Sequence, residues 1–169
     1  MIHPIVKFGD NGLARKAEPV TEFDGKLNRL LDEMFESMYA ASGVGLAAPQ
    51  IGISRCMAVI DITCGKDPDT RIVIINPEII AVEGHQKEEE GCLSLPGFRE
   101  TVKRPQKVTV RAQDRKGKQF TMQAEGLLAR AFCHETDHLN GKLFLSHLSV
   151  LKRDLIQRKI RKMIKAGEW

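Results

Sequence analysis

The sequence lacks any run near the roughly 20 apolar residues that a membrane-spanning helix needs, so no such span is expected within its 169 residues. The segment Met1–Gly9 lacks the basic flank, long apolar run and small-residue cleavage site of a secretory signal. It is also not an Arg- and Ser-rich amphipathic transit sequence, and the expected location is the cytoplasm. Cysteine is sparse: Cys56, Cys64, Cys92 and Cys133 are irregularly spaced, with no C-x-x-C pair. That excludes a dense disulfide scaffold and predicts reduced thiols. There is no internal repeat, no low-complexity segment and no alternation of strand and helix of the kind that builds a parallel sheet.

What is present fits one compact domain over residues 1–169, with 42% hydrophobic residues to build a core. The net charge of +4 is unevenly placed. From His147 onward seven Lys/Arg face two Asp/Glu, a surplus of +5, so residues 1–146 sum to −1. The basic character belongs to the tail.

Thr21–Asp24 reads as a helix start. It is followed by Leu27, Leu30, Leu31, Met34, Phe35 and Met38, whose 3-1-3-1-3 spacing predicts one apolar helix face ending near Gly43. The small-residue stretch 43–52 reads as a loop. Arg55–Ile60, Arg71–Ile75 and Ile79–Val82 read as three short strands. Val108–Ala112 and Gln119–Met122 flank Asp114–Gly117 as a hairpin. A helix is predicted from about Glu125 to Leu139, stopped by Asn140-Gly141, and a last one from about Ser149 to Ala166. Strands in the middle and helices at the ends predict an α+β fold of short, mainly antiparallel strands around a central helix.

The strongest chemical signal lies on that central helix, His134-Glu135-Thr136-Asp137-His138. Four residues of α-helix turn by about 400°, so both imidazoles face the same way one turn apart. Two ligands of one ion need that placement. Glu135, offset by one residue, can reach a water on the ion without becoming a ligand. A metal with an open position brings its water's pKa to about 7, and a neighbouring carboxylate can take that proton and later return it to a leaving amine.

A third ligand is needed. Metzincin peptidases carry a third His where this chain has Phe144, and thermolysin-like peptidases place a downstream Glu where only Asp154 and Glu168 follow, both in the basic tail. Cys92, in Glu90-Gly91-Cys92-Leu93-Ser94, is the upstream candidate. Cys56 reads as core and Cys64 as a loop bystander, while Cys133 points about 100° away from its neighbour His134. The residues alone leave Cys92 and a tail carboxylate both open.

Three segments together, Gly43-Val44-Gly45-Leu46-Ala47-Ala48-Pro49-Gln50, Glu90-Gly91-Cys92-Leu93-Ser94 and His134–His138, resemble in order and spacing the three signature motifs of bacterial peptide deformylases. The resemblance implies hydrolysis of the formyl group from the amino-terminal formyl-methionine of newly made polypeptides, with release of formate. It implies Cys92, His134 and His138 as metal ligands, Glu135 as general acid/base, and the Gln50 amide and Leu93 N–H as oxyanion donors. Gly43, Val44 and Gly45 would pair with the substrate backbone as an added strand, and Leu127 and Ala131 would form the methionine pocket. Glu90 and Arg99 would form a supporting salt bridge. Glu88 and Arg130 stand at pocket positions where aliphatic residues also occur. The implied cofactor is one divalent ion, Fe²⁺ in the cell, with Zn²⁺, Ni²⁺ or Co²⁺ accepted in its place.

In the tail, Leu151, Leu155, Ile156, Ile160, Met163 and Ile164 follow helical spacing between seven basic residues. The resemblance implies the ribosome as a partner for this helix, whose charge suits rRNA phosphates. No DNA or membrane partner is expected.

Overall fold

A computed structural model describes residues 1–169. Asp24 accepts a hydrogen bond from the Leu27 N–H and opens α1 (Gly25–Ala40), whose face of Leu27, Leu31, Met34, Phe35 and Met38 is buried. The helix ends before Gly43. Ser42 takes the left-handed backbone (φ 57°), and the Gly43 N–H closes the last turn on the Met38 carbonyl at 2.9 Å.

The loop expected at 43–52 is partly a strand, β1 (Gly45–Ala47), followed by a tight 3-10 turn, Ala48–Ile51. β2 (Met57–Ile60) pairs with it antiparallel. The two strands expected at 71–75 and 79–82 are one, β3 (Ile72–Glu83), with a register shift between Ile75 and Glu78. Pro77 has no N–H for the ladder. Asn76, at φ 50°, turns its side chain outward to bond both the N–H and the carbonyl of Val20 at 2.9 Å.

Two strands lie outside the expected set: β4 (Gln86–Gly91) and β5 (Arg99–Arg104), a separate antiparallel pair. Charge fills both faces of this hairpin, so no period-2 apolar pattern marks it; its inward side buries Glu90, Val102 and Arg104. The predicted hairpin forms as β6 (Lys107–Gln113) and β7 (Gln119–Glu125), where Asp114 accepts from the Lys116 and Lys118 N–H groups.

The main sheet has the order β1-β2-β3-β6-β7, antiparallel throughout. α2 (Gly126–Leu139) packs across its face and is buried nearly all round, as a central helix must be. Phe132, on that helix, is fully buried, worth about 1.5–3 kcal/mol by area. α1 covers the β1–β2 end. Ser149 caps α3 (Val150–Lys165), which docks through Ile156 and Ile160 against Leu95, Val102, Phe144 and Leu145. Leu151, Leu155 and Ile164, expected on the apolar face, are exposed together with Val150. The architecture is α+β, and no helix is long and apolar enough to cross a membrane.

Candidate metal centre

α2 presents His134 and His138 with their Nε2 atoms 3.1 Å apart. The loop that joins β4 to β5 brings Cys92 to the same point, its Sγ 3.4 Å from His138 Nε2. The ligand atoms of these three residues lie within 4.8 Å of one another, and no other His/Cys/Asp/Glu group forms such a cluster. Asp154 and Glu168, the downstream alternatives, are not part of it.

These residues fit a metal ion on their own geometry. Metal–N bonds of about 2.0–2.1 Å and metal–S bonds of about 2.3 Å, at tetrahedral angles, place N and N about 3.3 Å apart and S and N about 3.6 Å apart. The observed separations are close to both.

His134 is held for ligation by its other nitrogen. Nδ1 lies 2.6 Å from Glu90 Oε1, so it donates there and leaves the Nε2 lone pair free, as in carboxylate–histidine–metal arrangements. Glu90 is itself clamped. Arg104 donates to Oε1 at 2.7 Å and to Oε2 at 3.2 Å, and Arg130 also donates to Oε2. Burial pushes the Glu90 carboxyl up, but the hydrogen bonds from His134 and Arg104 outweigh it and hold it well below the usual carboxylate range. Arg104 continues to Asp137 at 2.7 Å, and Asp137 Oδ2 lies 2.8 Å from His147 Nε2.

The expected salt bridge from Glu90 to Arg99 is not formed. Arg99 bonds the exposed Glu89 at 3.1 Å and lies along the Gly91 backbone. Arg104 and Arg130 take the role instead, and sequence reasoning missed both. Arg104 follows the inward Val102 by two residues, but that signal needs β5 to be recognised. Arg130 precedes His134 by four residues on α2, so one helix face reads Arg130, His134, His138. That spacing is legible in the sequence, although the resemblance marks Arg130 only as a pocket position. It lines the cleft as well.

Glu135 is 2% exposed, and burial pushes its carboxyl up to about 7 against the lowering effect of His134. Its Oε1 has no protein partner, and neither has His138 Nδ1. A Cβ on Gly45 would stand 2.6 Å from Glu135 Oε2, so the missing side chain at 45 is the space the carboxylate occupies.

Gln50 is buried in the 3-10 turn. Its Oε1 accepts from the Ala47 N–H at 3.0 Å, which orients Nε2 toward the Cys92 loop, 3.2 Å from Ser94 Oγ and 3.8 Å from Cys92 Sγ. The Leu93 N–H has no acceptor within the protein. Gly43, Val44, Gly45, Leu127 and Ala131 line the same cleft of about 600 Å³, with Gln50, Leu93, Glu90 and Arg99. Leu127 is exposed there rather than part of the core, and Ala131 is buried. Asp61 donates its N–H to the Val44 carbonyl at 2.8 Å and braces the β1 rim of the cleft.

The remaining thiols stand apart. Cys133 is buried, which pushes its thiol up to about 11; Cys56 packs beside the core; Cys64 is exposed. Three candidate ligand atoms and the buried Glu135 carboxyl thus meet at a cleft lined in part by apolar side chains, beside strand β1 at the edge of its sheet. Such a site suits hydrolysis of a linear amide in an extended chain.

The polypeptide deformylase family model matches residues 2–154. Peptide deformylase of Acidobacterium capsulatum is 62% identical over 169 residues, covering 100% of this chain and 99% of that one. Among solved structures, a peptide deformylase from Legionella pneumophila superposes with a TM-score of 0.91 at 50% identity, over 99% of this chain and 98% of that chain. Peptide deformylase from Thermus thermophilus gives 0.89 at 40% identity, over 99% and 98%. A centre of this shape, on a fold shared over nearly the whole length of such relatives, places the chain in the polypeptide deformylase family.

Proposed function

We propose that this metal-dependent hydrolase removes the formyl group from nascent polypeptides with Glu135, Gln50 and the Leu93 N–H as its working groups. The observation that carries the proposal is the convergence of Cys92, His134 and His138 beside a buried carboxylate with an unpartnered oxygen. A divalent metal held by those three residues supplies a Lewis acid that makes water a nucleophile near neutral pH.

The chain's own groups do the rest. Glu135 takes a proton from the attacking water and delivers it to the amine nitrogen as the C–N bond breaks, so water and formamide become formate and a free amino terminus. Gln50 Nε2–H and the Leu93 N–H donate to the formyl oxygen as it gains negative charge. Glu90 keeps the Nδ1 proton on His134, and with it the ring orientation. Gly43 and Val44, which lead into β1, and Gly45 at the start of its free edge face the peptide backbone, and Leu127 and Ala131 contact the methionine side chain. Formate release from a formyl-methionyl peptide by anaerobically purified protein tests the activity; no formate at full metal loading overturns it.

Gln50→Ala is expected to lower kcat by about 10²–10³-fold with KM little changed, because an oxyanion donor acts in the transition state. Steady-state kinetics check this, and an unchanged kcat would remove Gln50 from the reaction.

The thiolate makes the ligand set softer than two histidines and a carboxylate, and we assign Fe²⁺ as the ion in the cell, with Zn²⁺, Ni²⁺ or Co²⁺ able to replace it. Residues 1–169 form one catalytic domain that works in the cytoplasm. Its basic helix α3 is the face for the ribosome, with Lys152, Arg153, Arg158, Lys159, Arg161, Lys162 and Lys165 meeting rRNA phosphates. Binding to ribosomes is expected to weaken steeply between low and moderate salt in a sedimentation assay; salt-independent binding would exclude this face as an electrostatic one.

A further inference from the structure

The proposed oxyanion donors come from two separate elements, Gln50 from the 3-10 turn after β1 and Leu93 from the loop between β4 and β5. Their direct links are few: Gln50 Nε2 to Ser94 Oγ at 3.2 Å and to Cys92 Sγ at 3.8 Å. A third segment is stitched across the seam. The Val6 N–H donates to the Gln50 carbonyl at 2.8 Å, and the Phe8 N–H donates to the Ser94 carbonyl at 2.8 Å. This segment belongs to no helix or strand, so its placement depends on what holds it from outside.

Trp169 holds it. The indole Nε1–H donates to the Phe8 carbonyl at 2.9 Å, so Trp169 is bonded to the same residue that bonds Ser94. The indole stands edge-on to Phe98, ring centroids 6.0 Å apart, and Phe98 lies on the cleft side of the Cys92 loop. Lys7 Nζ lies 6.0 Å from the indole centroid. The chain reaches this point by a turn after α3. Gly167, at φ 72°, donates to Ile164 at 3.1 Å and Glu168 donates to Met163 at 2.8 Å, the paired bonds of a Schellman motif. That turn sends Trp169 back toward Phe8.

We infer that Trp169, acting through Val6–Phe8, is a positioning residue that fixes Gln50 against the Cys92–Ser94 loop and thereby sets kcat. The inference rests on the role proposed for Gln50. It links the end of the basic helix to the chemistry without contact between Trp169 and substrate.

The test is a double-mutant cycle on the metal-loaded protein, with kcat, KM and bound metal measured for Trp169→Ala and Trp169→Phe, each alone and with Gln50→Ala. Trp169→Ala is expected to lower kcat by about tenfold, since small misplacements of an aligned group are costly. KM and bound metal stay unchanged. Trp169→Phe keeps an aromatic ring beside Phe98 but loses the N–H, and falls between. In the Gln50→Ala background both substitutions are expected to change kcat by less than about twofold, because the group they position is gone. If the two losses multiply instead, or if KM or bound metal carries the effect, Trp169 is merely structural and the inference fails. If Gln50→Ala alone retains full kcat, the fault lies in the role given to Gln50. Should Trp169→Ala fail to fold, Trp169→Phe carries the same cycle.

Discussion

Glu135→Ala is expected to lose turnover by on the order of 10⁴-fold while the protein keeps its metal, because in the proposed mechanism one carboxylate serves as base toward water and as acid toward the leaving amine. The candidate ligand atoms are on Cys92, His134 and His138, none of which bonds the Glu135 side chain, so the substitution leaves that cluster intact. It also removes a buried carboxyl whose Oε1 has no partner in the protein, a group that is costly to keep away from water. Stability is therefore expected to hold or rise as activity disappears. Single-turnover formate release together with metal analysis checks both halves. Full turnover in the variant would end the mechanism; loss of the metal would mean that the carboxylate belongs to the ligand set.

The other large effect is structural. Glu90→Gln is expected to destabilise the fold by about 3–5 kcal/mol, because Arg104 and Arg130, both buried, then face no counter-charge except Asp137. On a domain whose total stability is about 5–15 kcal/mol, that is a large fraction, and thermal denaturation would read it as a drop in Tm of roughly 10 °C. The His134 Nδ1–H would lose its charged acceptor as well, with metal affinity falling about 10–100-fold. The pH dependence follows from the direction of the carboxyl's shift. Glu90 sits well below the ordinary value, so its contribution is fully present above about pH 5 and is lost progressively as the pH falls from there through the lowered value. Glu90→Gln should flatten that part of the acid limb in urea titrations. A variant with unchanged Tm and metal content would show that the two guanidinium groups find other partners.

Much of the molecule is legible without coordinates. α1 and α3 follow from apolar spacing and α2 from the Asn140-Gly141 stop behind its histidine motif, and all three end within a few residues of their expected bounds. The β6–β7 hairpin is equally plain, because Asp114–Gly117 is a turn with its own hydrogen bonds. The two histidines and Glu135 belong with these: one helical turn is enough to know that they face one point. The failures share a cause. β1 is only three residues, Gly45-Leu46-Ala47, too short to show an alternation; β3 hides a bulge at Asn76-Pro77; and β4 and β5 carry charge where a strand pattern would carry valine or isoleucine.

That charged hairpin is where local reading stops. Spacing along one helix placed His134, Glu135 and His138 in a common site, and the chain's own pattern supplied the α+β plan. The family resemblance named Cys92 in advance, but its convergence on the histidine pair, with Asp154 and Glu168 left outside, and the pairing of Glu90 with Arg104 and Arg130 rather than Arg99, appear only in the folded chain. Cys92 and His138 are 46 residues apart, and Glu90 and His134 are 44 apart. Pairings at that range are set by how β4 and β5 pack on α2 and on the core beneath α3. Burial there makes ion pairs obligatory, because a lone charge removed from water has to be matched, and packing decides which arginine is near enough to do it.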